Sequence, residues 1–144
     1  MKRAAANAHV IADPVVGDVA AAARLICDRS IIGTTIWGGE TTVVLRGTGR
    51  GGRNQELALL IAKEAARRGW TAWTCLQGGS DGRDGPTDAA GGLVDHDTLG
   101  KVADAERLLA NNDSYAALKA AGGLLMTGAT GTNVADLGVM IRRG

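Results

Sequence analysis

Glycine in this chain gathers where apolar, β-branched segments end. Three runs stand out: 47–54 (Gly-Thr-Gly-Arg-Gly-Gly-Arg-Asn), 78–88 (Gly-Gly-Ser-Asp-Gly-Arg-Asp-Gly-Pro-Thr-Asp) and 127–133 (Thr-Gly-Ala-Thr-Gly-Thr-Asn). Each follows a segment that reads as a strand, and helical patterns lie between them, which is the alternation of a layered α/β sheet. Ligands of open α/β sheets bind beyond the carboxyl ends of the strands. If these strands are parallel, the three loops meet at one edge, and that meeting is the main functional signal in the chain.

The strands expected are Ile31–Trp37, Thr41–Arg46, Thr71–Leu76, Leu124–Thr127 and Leu137–Ile141. Before them come a short apolar piece, Val10-Ile11-Ala12, then Asp13-Pro14, and a helix over about 18–29. Asp18 is its N-cap, with Val19, Ala22, Ala23 and Ile26 at helical spacing. The clearest helix runs from Asn54 to Arg68, with Leu57, Leu60, Ile61 and Ala65 as its buried stripe and Gly69 as its stop. A further helix is expected over Leu99–Leu109, and another from Asn112 or Asp113 to just before Gly122. The fold class is therefore α/β: a layered mixed or mostly parallel sheet with flanking helices and glycine-rich loops at the strand ends.

Composition narrows the function. The 16 basic and 15 acidic residues nearly cancel, and aromatics are scarce, with no phenylalanine. There is thus no field to hold nucleic acid and no platform for stacked bases. No apolar run approaches the ~18 residues of a membrane span. Cys27 and Cys75 read as reduced core residues rather than a disulfide or metal pair, so a cytoplasmic location is expected.

The first loop has physical reasons to hold an anion. A helix N-terminus presents N–H groups there, and Arg50 and Arg53 add guanidinium forks. Gly47, Gly49 and Gly52 also spell G-x-G-x-x-G, but the acidic residue expected ~20 positions on is missing from the right place, and no phosphate-binding G-x-x-x-x-G-K-[ST] occurs. A tight strand-to-helix turn accounts for the same glycines. In the second loop Asp81, Asp84 and Asp88 either surround a Mg²⁺ or bond nearby backbone amides in turns. Thr130, Thr132 and Asn133 give the third loop a surface for phosphate or hydroxyl oxygens, or serve as caps within a connection. Asp95-His96-Asp97 reads as a polar turn and His9 as incidental. No Ser stands in a G-x-S-x-G elbow, and Ser80 has no base nearby in sequence, so a nucleophilic triad is not supported.

Taken together, Gly38-Gly39-Glu40-Thr41-Thr42-Val43, Gly51-Gly52-Arg53-Asn54-Gln55-Glu56-Leu57, the run from Asp81 through Gly91, Asn112-Asp113-Ser114-Tyr115, and Thr127 through Leu137 resemble the MOFRL domain. This is the C-terminal domain of ATP-dependent glycerate 2-kinases, also labelled hydroxypyruvate reductases. The resemblance implies residues 31–144 as the domain and 1–30 as a remnant of a preceding region. It implies phosphoryl transfer from ATP to the 2-hydroxyl of D-glycerate with Mg²⁺, and a larger N-terminal domain without which this chain is expected to be inactive.

On that resemblance the motif positions become candidate site residues. Arg53 is the expected charge stabiliser, assisted by Arg50, the Gly51 and Gly52 amides, Asn54 and Glu40. Asp84 and Asp88 are candidate catalytic carboxylates, Asp81 and Asp84 candidate metal ligands, and Thr130, Thr132 and Asn133 candidate pocket residues. Two other functions remain open at this level: an oxidoreductase holding a nicotinamide cofactor on the 47–52 loop, and a non-catalytic, self-associating binding module. Candidate partners are a separate N-terminal domain or further copies of the chain.

Overall fold

Strand sense decides whether the three loops can meet. In a computed structural model that describes residues 7–144, one mixed sheet carries β1 (His9–Val10), β2 (Val15–Asp18), β3 (Gly33–Thr42), β4 (Trp73–Gly79), β5 (Gly91–Asp95), β6 (Leu124–Leu125) and β7 (Asp136–Arg142). Its order is β1-β3-β7-β4-β5-β6, with β2 also paired to β3. β1 and β2 run parallel to β3, whereas β7 is antiparallel to both β3 and β4, and β5 is antiparallel to both β4 and β6. β3, β4 and β6 therefore point the same way, and the loops that follow them leave from one edge. The convergence survives although these strands are not neighbours: β7 and β5 run back between them.

The helices α1 (Val19–Arg29), α2 (Arg53–Arg67) and α4 (Ser114–Ala121) cover one face of this sheet, and the short α3 (Ala105–Ala110) packs beside α4. Strand residues alternate sides, so Trp37, Cys75, Val94 and Met140 turn inward and join Ile26, Leu57, Leu59, Ile61 and Leu118 in a single core. Leu59 and Ile61 are fully buried, each worth roughly 2 kcal/mol of transfer free energy. Ile11, Val15, Val19 and Cys27 belong to the same core, so the segment from Ile11 to Cys27 is packed with the rest. Among the described residues no helix is long and apolar enough to cross a membrane.

The expected helices at α1, α2 and α4 form, with the Asp18 carboxylate capping α1 through the Ala20 and Ala21 amides and Gly122 closing α4 in the left-handed region. Other expectations need correction. The strands expected at 31–37 and 41–46 are one strand, β3, which runs through Gly38 and Gly39 and stops at Thr42. A side chain at Gly39 would collide with the Val15 carbonyl of the adjoining strand. Val43–Arg46 leave the sheet because Asn112 takes over their hydrogen bonds: its amide donates to the Val44 carbonyl and accepts from the Arg46 amide. The helix expected at 99–109 is a 3₁₀ turn at Leu99–Lys101 followed by α3, divided at Asp104, whose backbone is left-handed (φ 56°). β5 was not expected, because only Leu93 and Val94 mark it as a strand.

Candidate functional site

The 47–52 loop lies against the turn between α3 and α4, and that turn uses most of its amides. Asn112 Oδ1 accepts from Arg46 N (2.6 Å) and Gly47 N (3.0 Å), Asn111 Oδ1 from Thr48 N (3.0 Å), the Asn111 carbonyl from Gly49 N (2.9 Å) and Asp113 Oδ1 from Arg50 N (3.1 Å). The glycines permit this approach: a Cβ at Gly47, Gly49 or Gly51 would run into Asn111, Asp113 or Ser114. Gly51, Gly52 and Arg53 are the amides left without a partner among the described residues.

An anion does sit on the N-terminus of α2, and it belongs to the protein. The buried Asp84 carboxylate accepts from Asn54 N (3.0 Å), Gln55 N (2.8 Å) and Asn54 Nδ2 (3.1 Å). Burial pushes its carboxyl upward in pKa, and the amides at α2 oppose that shift. Gly52 makes room, since a Cβ there would overlap the Asp84 carboxylate. A buried polar chain continues inward: Asn54 Oδ1 accepts from Gln77 Nε2 (2.7 Å), and Gln77 Oε1 accepts from Trp37 Nε1 (2.8 Å). Gln55 donates to Thr87 Oγ1 at 2.9 Å. Asp84, the start of α2 and β4 are thereby locked into one rigid corner.

Arg53, the first residue of α2, faces the edge. Its guanidinium forms a two-pronged pair with Asp136, Nε to Oδ2 at 2.5 Å and Nη2 to Oδ1 at 3.0 Å. Glu40 on β3 stands 3.5 Å away. Asp136 is buried and Arg53 is 39% exposed, so a carboxylate from below aims the cation outward. The hydrogen bonds to Asp136 are the largest reason the guanidinium holds its proton more tightly than usual.

The second and third loops are stitched together. Ser80 Oγ accepts from Val134 N (2.9 Å) and Ala135 N (3.1 Å), and Thr130 Oγ1 donates to the Ser80 carbonyl. Thr132 N bonds Thr130 Oγ1 at 3.4 Å, and Asn133 is exposed at the tip. Asp81 accepts from Arg83 N (2.9 Å) in its own turn. Asp88 accepts from Tyr115 Oη (2.8 Å), and Arg50 lies over the Tyr115 ring at 4.5 Å. The Asp88 bond is the chief reason the Tyr115 hydroxyl is harder to ionise than usual. Asp95 bonds Thr98 and Asp97 as an ordinary polar turn.

The structure thus brings Arg53, Asn54 and Glu40 to one place and the Thr130 loop beside it, but separates the three aspartates by task. Among the described residues no three His, Cys, Asp or Glu side chains converge to hold a metal. Asp84 has its oxygens engaged and does not fit as a metal ligand. Asp81 and Asp88 each have one oxygen bonded to a neighbour, so either fits as a single ligand to a Mg²⁺ carried by phosphate oxygens. Sequence reasoning quoted Tyr115 and Asp136 only as members of motifs, without a role, and did not name Gln77. Asp136 sits immediately ahead of an apolar strand, and no local signal ties it to an arginine 83 residues away.

Comparison with known proteins gives the family and the fold. The MOFRL family model matches residues 33–136. D-glycerate 2-kinase of Thermotoga maritima is 54% identical over 106 residues, covering 71% of this chain and 25% of that protein. Glycerate 2-kinase of Pyrococcus horikoshii is 45% identical over 111 residues (74% and 24%), and human glycerate kinase 46% over 117 residues (74% and 22%). The chain therefore spans about a quarter of the length of these relatives. The crystal structure of the T. maritima glycerate kinase superposes with a TM-score of 0.85 at 43% identity, over 94% of this chain and 36% of that one.

Proposed function

This chain belongs to the MOFRL family, and from that premise we propose that it supplies the C-terminal portion of a kinase site that transfers the γ-phosphoryl group of ATP to the 2-hydroxyl of D-glycerate. The observation that carries this reading is the Arg53–Asp136 pair, set at the edge where three loops meet. Phosphoryl transfer asks a protein mainly for positioning and for neutralisation of charge. Arg53 suits that need: it is rigidly based, partly exposed and able to present a two-pronged face to a carboxylate or phosphate.

In this reading the glycerate 2-oxygen attacks the γ-phosphorus, the bond to the β–γ bridging oxygen breaks, and ADP leaves. Arg53 stabilises the charge spread over the transferring group. The free Gly51 and Gly52 amides and Arg50 assist it, and Glu40 limits where an anion can approach. Asp88 or Asp81 orients the attacking hydroxyl and receives its proton. Asp84 and Asn54 are positioning residues that fix the α2 N-terminus, and Thr130, Thr132 and Asn133 line the outer wall. Asp81 or Asp88 would serve as a single protein ligand to a Mg²⁺ carried by the nucleotide, an ion that would supply neutralisation of phosphate charge there. A nicotinamide cofactor has no support in the named relatives, all of which are kinases.

The test is made in the full-length T. maritima kinase at the position aligned with Arg53. Arg→Ala should lower kcat/KM at least ~100-fold, as loss of a group that stabilises developing charge does. An unchanged kcat/KM removes Arg53 from the mechanism. Titration of this chain with NADH is the second arm, and binding there would overturn the kinase reading.

A further inference from the structure

The inward side of β3 carries one polar group without a partner. Thr35, Trp37 and Thr41 alternate onto the face that the helices cover, and all three are buried. Thr35 Oγ1 accepts from the Ile31 amide, and Trp37 Nε1 donates to Gln77. Thr41 is only 5% exposed, yet its Oγ1 has no hydrogen-bond partner among the described residues. A buried hydroxyl left unpaired is costly, so native structures normally supply one.

The hydroxyl borders a small cavity. Val15 of β2, Trp37 and Thr41 of β3, Gln77 of β4 and Asp136 of β7 frame it, with Leu57 contributed by α2. The space open to a water-sized sphere is about 10 Å³, room for one water and no larger ligand. Cavities that stay dry are apolar, and this one is lined by a hydroxyl, an amide and a carboxylate. Gln77 gives one Nε2 hydrogen to Asn54 and has a second to donate. Asp136 takes one hydrogen bond from Arg53 at each oxygen, which leaves each a lone pair for a further donor. A water that accepts from Thr41 and Gln77 and donates to Asp136 has three partners, and it gives the Thr41 hydroxyl the one it lacks.

We propose that Thr41 is a positioning residue for Arg53, acting through a single buried water that it holds against the Asp136 carboxylate. A carboxylate held only by the guanidinium it aims can swing together with it. A second donor, from the cavity side, fixes the plane of the carboxylate, and that plane fixes the two-pronged guanidinium. The inference rests on the reading of Arg53 as the working cation of a kinase site. What it states is a water and a geometry, and both are read without turnover.

The test compares this chain with Thr41→Val, which keeps the branched shape and loses the hydroxyl, and with Thr41→Ser, which keeps the hydroxyl. High-resolution crystal structures of the parent and Thr41→Ser should show one ordered water within hydrogen-bond distance of residue 41 Oγ and an Asp136 oxygen. The Thr41→Val structure should show none. Hydrogen exchange of the Arg53 Nε proton, followed by NMR, is the second readout, with the buried Leu59 amide reporting global opening. Relative to Leu59, exchange at Arg53 should be at least ~5-fold faster in Thr41→Val and within about 2-fold of the parent in Thr41→Ser. A parent cavity without water overturns the proposal, and does so even where a variant fails to fold. So does exchange at the parent rate in Thr41→Val, or a Thr41→Ser that behaves like Thr41→Val, since shape and not the hydroxyl is then what matters. Full activity in the Arg→Ala kinase of the preceding section would leave these readouts as they stand, so failure of the positioning role and failure of the catalytic reading are separate results.

Discussion

Asp84 and Gln55 meet at the start of α2, where the Asp84 carboxylate accepts the Gln55 amide at 2.8 Å and the Asn54 amide beside it at 3.0 Å. A carboxylate thirty residues downstream thus caps the helix that its own N-cap residue, Gly52, cannot cap. Removing it exposes two helix amides and the Asn54 side-chain amide inside a buried corner. Asp84→Ala should cost about 3 kcal/mol in urea unfolding, more than a surface cap. Asp84→Asn keeps one oxygen acceptor and should cost less. If both variants unfold like the parent, Asp84 is not the cap.

The same corner explains one glycine. Gly52→Ala drives a methyl group into the Asp84 carboxylate, whereas a Cβ at Gly100 meets nothing within 4 Å. Gly52→Ala should destabilise by more than about 2 kcal/mol and Gly100→Ala should lie within roughly 0.5 kcal/mol of the parent. Thermal unfolding of the two variants side by side checks this.

These contacts show which parts of the molecule were readable beforehand. α1 and α2 announce themselves because apolar spacing and local signals act within one turn, as Asp18 does for Ala20 at the start of α1 and Gly69 does after the end of α2. The meeting of the loops was readable from where glycines fall, on the condition that the strands before them run parallel, and β3, β4 and β6 do so although β7 and β5 run back between them. The tasks of the polar residues were not readable, because they depend on partners far away in sequence. Asp84 sits in the same glycine-rich run as Asp81 and Asp88, yet only Asp84 reaches α2. β5 stayed hidden because glycines begin it, and its pairing to β4, not its propensity, makes it a strand.

Asn112 does for the first loop what Asp84 does for α2. Its side chain accepts from two amides and donates to the Val44 carbonyl and to the buried Glu56, whose carboxyl is pushed up in pKa chiefly by burial. Asn112→Ala should cost about 2–3 kcal/mol and release the loop locally. Amide hydrogen exchange at Arg46 and Gly47 should then accelerate well beyond the global loss of stability. Exchange that rises equally everywhere would falsify this local role.

Glu64 gives the chain an acid limb. Hydrogen bonds from Arg67 first, and then from Arg68, hold its carboxyl at about 2, below its ordinary 4.5. Since the folded value is the lower one, this stabilisation is complete above about pH 4.5 and is lost as pH falls toward 2. Glu64→Gln should lower the unfolding midpoint at pH 7 and flatten its dependence across that window. A variant whose acid limb keeps the parent slope would assign the limb to other carboxylates.

Arg53 is the cation at the edge, yet Asp136 already satisfies its fork and Glu40 lies close. An incoming anion can take the outer Nη1 side of the guanidinium but meets the negative charge of both carboxylates, so Asp136 sets both the aim of the guanidinium and its appetite for substrate. Asp136→Asn preserves the shape and one acceptor oxygen while removing the buried charge. The variant should lose stability, because one prong of the pair becomes a poorer bond. It should also bind inorganic phosphate or D-glycerate roughly fivefold more tightly, since the anion no longer competes with a carboxylate. Calorimetric titration of the parent and variant reads that change. An affinity that falls together with stability would mean that Asp136 orients Arg53 and does not restrain it, and the guanidinium's outward aim would then be the larger part of what this edge contributes.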